Sequence, residues 1–105
     1  MSSFEVPDSA ELMAELRRHQ DAIEQIQRSV DALVVKGHSR ANEVVATVRG
    51  TGRFTEIAID AELPRRYDAH DLGAIVTEAV NDALGKLAAA TNDRFAPVLG
   101  NTQQG

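Results

Sequence analysis

Residues 43–60 read Glu43-Val44-Val45-Ala46-Thr47-Val48-Arg49-Gly50-Thr51-Gly52-Arg53-Phe54-Thr55-Glu56-Ile57-Ala58-Ile59-Asp60. From Glu43 to Arg49 the side chains alternate. Val44, Ala46 and Val48 fall on one side, and Val45, Thr47 and Arg49 on the other. Alternation with a period of two is the mark of a strand with unlike faces. Gly50-Thr51-Gly52 supplies the backbone freedom of a hairpin turn. Phe54 to Asp60 then alternates again, with Thr55, Ile57 and Ile59 opposite Glu56, Ala58 and Asp60. Two antiparallel strands follow, with one apolar face to cover.

Working outward, Leu33-Val34-Val35-Lys36-Gly37-His38-Ser39-Arg40 is β-branched and then polar, and reads as a short first strand before a turn at Ala41-Asn42. The sheet is therefore a three-stranded antiparallel meander. Before it, Pro7-Asp8-Ser9-Ala10-Glu11 is a helix start, with Asp8 able to accept from first-turn N–H groups and Glu11 able to reach back. Leu12, Leu16, His19, Ile23, Ile26, Val30 and Leu33 then recur at intervals of 4, 3, 4, 3, 4 and 3. That is a heptad seam on a helix of about 25 residues, interrupted only by His19. Arg17/Asp21 and Glu24/Arg28 sit four apart and can pair along its flank.

After the sheet, Pro64 ends the last strand region, and Asp68 with Asp71 three residues on marks a second helix start. Leu72, Ile75, Val76, Ala79, Val80, Ala83, Leu84 and Leu87 make a broad apolar face at helical spacing. Its centre, Ala79 and Ala83, is small enough for another backbone to approach closely. Ala88-Ala89-Ala90 can extend the helix and Phe95 can anchor its end. The expected fold is thus α+β, in the order α-β-β-β-α, with the sheet flanked by a long N-terminal and a C-terminal helix. Residues 1–7 are expected to be a flexible arm, 8–95 the domain and 96–105 a disordered tail.

Sheet and second helix make a thin core, and the first helix has surplus apolar stripe. Small domains often complete such cores by association, most simply as a twofold dimer. Leu12, Leu16, Ile23, Ile26, Val30, Ala79 and Ala83 are the candidates for dimer or helix packing.

Bulk composition excludes several functions. The chain has 105 residues, no cysteine and only three scattered histidines, so neither disulfides nor a short-spaced metal site is expected. No apolar run reaches the roughly 18 residues that cross a bilayer, and Met1 to Glu5 lacks the basic and apolar regions of a signal peptide. A cytoplasmic protein without membrane, cofactor or small-molecule substrate is the expectation. Asp60 and Glu62 could be imagined as paired carboxylates, but no nucleophile, base or phosphate loop accompanies them, so no catalytic residue is assigned.

Net charge is −5, which by itself argues against phosphate binding. The charge is uneven, however. Residues 1–33 sum to −4, residues 34–66 to +2 and residues 67–105 to −3. The basic middle holds Lys36, Arg40, Arg49 and Arg53 in or beside the hairpin. These could lie along a DNA backbone, or could simply protect strand edges from aggregation. Arg17-Arg18 could touch phosphate, or could be a solvated face paired with Asp21. Asn81-Asp82, unusual inside a helix, could make a polar contact to a strand or a partner subunit, or could lie on the solvent face.

The 43–60 run resembles the double-strand signature of the YbaB/EbfC family, a V-x-V-x-x-N/R-G-x-G hairpin leading into I-x-I-D. Leu72-Gly73-Ala74-Ile75-Val76-Thr77-Glu78-Ala79-Val80-Asn81-Asp82-Ala83-Leu84-Gly85-Lys86 is similar to the family's second helix. The resemblance covers roughly residues 10 to 90. It implies a homodimer with a sheet-centred interface and projecting helical arms, sequence-tolerant DNA binding, and a nucleoid role in organisation or gene regulation. Arg17, Arg18, Lys36, Arg40, Arg49 and Arg53 are then the candidate DNA contacts. The other reading is a protein-interaction module whose helical seam docks a partner, such as a secretion-system-associated component.

Overall fold

The alternating strands and spaced apolar helices assemble as expected in the computed structural model, which describes residues 9–99. The order is α1 (Ser9–Asp31), β1 (Val34–His38), β2 (Val44–Arg49), β3 (Phe54–Ile59), α2 (Leu63–Arg66) and α3 (Ala69–Leu99). All strands are antiparallel, with β2 in the centre. The N-terminal arm and the Asp8 cap fall outside the described residues.

The core lies between one face of the sheet and α3. Val44, Ala46 and Val48 are fully buried there, opposite Ala79, Ala83 and Leu87. The small centre of α3 meets the backbone of β1. A Cβ built at Gly37 would lie 2.1 Å from the Ala83 nitrogen and 2.5 Å from the Ala79 carbonyl oxygen. Ala79 and Ala83 are therefore buried against their own chain, which removes them from any interface with a partner.

Each turn has a local cause. The Ser39 hydroxyl oxygen accepts from the N–H groups of Glu43 and Val44 at 3.1 and 3.0 Å, and Asn42 takes a left-handed backbone with φ of 60°. At the hairpin Gly52 has φ of 89°, a region that glycine enters without a steric penalty. The Asp68 carboxylate accepts from the Asp71 N–H at 2.9 Å, capping α3 where the sequence placed its start.

Three details depart from expectation. Thr47 pairs with Glu56 but Val48 pairs with Phe54, so Thr55 is an extra residue in a β-bulge. The bulge turns Phe54 toward the core beside Ile57 and Ile59, and Thr55 loses its place in the alternation. Second, the segment around Pro64 is a short helix, and Leu63 at its start is fully buried. Third, α3 does not end at Phe95. It runs to Leu99, into the segment expected as a tail, with Phe95 and Val98 half-buried. Pro97 falls in the last turn, where it costs a single helical hydrogen bond. Residues 100–105 lie outside the described part.

Helix α1 splits into two halves. At its C-terminal end Val30 is buried, Ile26 and Leu33 are half-buried, and the Ser29 hydroxyl accepts from the Arg94 guanidinium. A Cβ at Gly50 would collide with the Val30 carbonyl oxygen at 1.6 Å, so this end of α1 sits directly on the hairpin. Toward the N-terminus the helix leaves the body, and Leu12, Met13, Leu16 and Ile23 are exposed. The described chain extends over 83 × 29 × 17 Å with a radius of gyration of 21.9 Å, against about 13 Å for a compact chain of this length.

Candidate nucleic-acid interface

The six basic candidates separate into three places. Cross-strand partners share a sheet face, so the register fixes where each one points. Val35 and Gly37 of β1 face α3 with Ala46 and Val48, which leaves Val34, Lys36 and His38 on the other face with Val45, Thr47 and Arg49. Val34 is opposite Arg49 and Lys36 opposite Thr47, making Lys36 and Arg49 diagonal neighbours on that open face. Arg53 joins them through the hairpin, its carbonyl accepting from the Arg49 N–H at 2.8 Å. All three are exposed. Among the described residues the ion pairs are Arg40–Glu78, Arg66–Glu43 and Lys86–Asp82. Lys36, Arg49 and Arg53 are therefore not neutralised by any of them. The acid nearest in register is Glu56, which faces Thr47 from the other side of the row that contains Lys36.

Arg40 stands apart, at the opposite end of β2 in the β1–β2 corner. Its guanidinium lies 3.3 Å from the Glu78 carboxylate, which also accepts from the Arg40 N–H at 2.8 Å. Glu78 was not singled out from the sequence. It lies one turn before Asp82 on the same side of α3, which could have marked it as a second group reaching the strand. Arg17 and Arg18 are exposed on the projecting half of α1 among Glu11, Glu15 and Asp21. The anticipated Arg17/Asp21 and Glu24/Arg28 pairs do not form.

Asp82 makes the contact to a strand, one of the roles its sequence context left open. Its carboxylate accepts from the His38 N–H at 2.8 Å and pairs with Lys86 at 2.9 Å. The Lys86 ammonium first, and then the His38 N–H, hold the carboxyl below its ordinary pKa. Asp82 and Glu78 thus tie α3 to the end of β1, and Gly37 lies in the gap.

Among the described residues no group of three or more His, Cys, Asp or Glu side chains could hold a metal ion, and no helix is long and apolar enough to cross a membrane. The largest exposed apolar features are the outer half of α1 and the uncovered strand β3. On β3, Ile57 and Ile59 point to the helix side yet remain 38 % and 41 % exposed, because α3 packs on β1 and β2.

Comparison with known proteins gives three findings. Residues 6–102 match the YbaB/EbfC DNA-binding family. Nucleoid-associated proteins of Nocardia farcinica and of a Mycobacterium species (strain KMS) are each 29 % identical; the alignments cover 89 % and 90 % of this chain, and 84 % and 86 % of theirs. The crystal structure of an uncharacterized protein from Helicobacter pylori superposes with a TM-score of 0.71 at 17 % identity, covering 90 % of this chain and 99 % of that one. At that identity the likeness is one of fold.

Proposed function

The chain belongs to the YbaB/EbfC DNA-binding family, and from that premise we propose that it is a homodimeric nucleoid-associated protein that binds DNA with little sequence specificity. Its cellular place is the cytoplasmic nucleoid, where it organises DNA or regulates gene expression. The family is a DNA-binding family, not a family of enzymes.

The observation that carries this reading is the cluster of Lys36, Arg49 and Arg53 on the open face of the sheet. Three exposed cations without ion-pair partners can each displace counterions from phosphate, a contact that depends on charge and not on base sequence. Arg17 and Arg18 offer a second, weaker contact on the arm. Arg40 contributes little, since Glu78 already occupies its guanidinium. Homodimer formation is supported by Ile57 and Ile59, which in a single chain leave apolar surface beside an unpaired strand edge.

Fluorescence polarisation against duplexes of unrelated sequence, at several salt concentrations, tests the proposal. Affinity should fall steeply with salt. The triple change Lys36→Ala/Arg49→Ala/Arg53→Ala should reduce the logarithmic salt slope by about 3 for each protomer whose sheet face contacts the duplex, and Arg40→Ala should leave it nearly unchanged. Absence of binding even at low salt would refute DNA as the ligand. The second reading, a module that docks a protein through α1, is favoured by the exposed Leu12, Leu16 and Ile23. Recovery of a specific protein partner, lost with Leu16→Asp or Ile23→Asp, would support it.

A further inference from the structure

His38 shares the open face of the sheet with Lys36 and Arg49. It stands two residues from Lys36 on β1, and alternate residues of a strand are about 7 Å apart. Arg49 continues the line on the other side of Lys36 as its diagonal neighbour, so the three side chains form one row about 14 Å long. Each strand of duplex DNA presents a phosphate about every 3.4 Å along the axis, and the row therefore spans about four of them. His38 is half-buried. Its neighbours across the sheet are Val45 and then Ala58, neither of which carries a charge.

The acids closest to His38 are already engaged. From α3, the Asp82 carboxylate accepts from the His38 N–H and is matched by Lys86 at 2.9 Å, while Glu78 holds Arg40. At the β1–β2 corner Glu43 pairs with Arg66 at 3.3 Å. Glu56 on β3 and Asp60 just beyond it are exposed and lie two strands away, a separation of about 10 Å at which exposed charges are largely screened. A positive charge on the His38 ring therefore adds to those of Lys36, Arg49 and Arg53 and is not cancelled.

We propose that His38 is a further phosphate contact of this face, engaged when its ring is protonated, so that DNA is held more tightly in mild acid. Histidine changes its charge between about pH 5 and 8, a range in which lysine and arginine ordinarily stay charged. The neutral ring has one donor and one acceptor nitrogen, whereas the protonated ring donates from both. A phosphate oxygen only accepts. Contact with phosphate thus favours the protonated ring, DNA binding takes up a proton, and affinity rises as pH falls.

This inference rests on the DNA-binding reading above, and the two fail differently in one experiment. Fluorescence polarisation of the full chain on a duplex of mixed sequence is followed against salt at about pH 8 and at about pH 6. Wild type should bind several-fold more tightly at the lower pH. Its logarithmic salt slope there should be steeper by about 0.9 for each protomer whose sheet face contacts the duplex. His38→Gln should behave at both pH values as wild type does at the higher one, and His38→Lys as wild type does at the lower one. Both variants keep the backbone N–H that Asp82 accepts, and circular dichroism with thermal melting checks that they fold. His19→Gln on α1 and His70→Gln at the start of α3 should retain the full response to pH. The proposal is overturned if wild type has the same salt slope at both pH values, or if His38→Gln keeps the wild-type difference. Absence of binding at low salt at either pH would instead refute DNA as the ligand, and this contact with it.

Discussion

The contact between α3 and β1 and the outer half of α1 are both built from small and aliphatic residues at helical spacing, and their fates are opposite. On α3 that spacing meets a strand of the same chain. The Ala79 and Ala83 positions admit the β1 backbone at Gly37, and Glu78 and Asp82 take up the N–H groups of Arg40 and His38 on the same side. On α1 the leucines and isoleucines are larger and more apolar, yet remain in water because α1 meets the body only at its C-terminal end, where Val30 sits on the hairpin. Apolar periodicity therefore specifies a sticky face. Whether that face is core or interface depends on what the topology brings opposite.

The contrast can be broken first at Gly37. Gly37→Val has backbone atoms of α3 in its way, which cannot rotate aside, and should cost at least about 3 kcal/mol, read by chemical denaturation. Leu63→Ala opens a cavity under α2 and should cost about 2–3 kcal/mol; the short helix can partly close over it. Gly85, on the same helix as Ala83, has nothing within 4 Å of a built Cβ. Gly85→Ala should accordingly stabilise the protein by about 0.5–1 kcal/mol. On the arm, Leu16→Ala should change unfolding by less than about 0.5 kcal/mol, since the side chain is 53 % exposed.

The smallest expected effect is one of pH. The Asp82 carboxyl is held below its ordinary value by Lys86 and the His38 N–H. Its contribution to stability is therefore complete above the unfolded carboxylate range, near pH 4, and is lost as pH falls through the lower folded value. Thermal melts should show a shallower acid decline in Asp82→Asn than in wild type.

Much of this was legible beforehand. Asp68 capping α3 through Asp71 needed only local chemistry, as did the turns at Asn42 and Gly52. The close approach over Ala79 and Ala83 was readable from side-chain size, but its occupant, Gly37, lies 42 positions from Ala79. The bulge at Thr55 shows in the sequence only as the three-residue spacing from Phe54 to Ile57, a slip of phase that the alternation of Thr55, Ile57 and Ile59 conceals. Leu63 was missed because one apolar residue before a proline has no periodicity. Of the basic residues, type and position along the chain identified six candidates. The pairing register then brought Lys36 and Arg49 onto one face, and set Arg40 apart at the other end of β2, beside Glu78.

The amino-acid sequence by itself determined the elements, their order, the caps and turns, and the basic centre between acidic ends, because each depends on residues within a few positions of one another. Tertiary structure decided which apolar stripe became core, which cations share a face and which is neutralised, and where the first helix leaves the body. Those outcomes depend on strand register and helix docking, which join residues tens of positions apart.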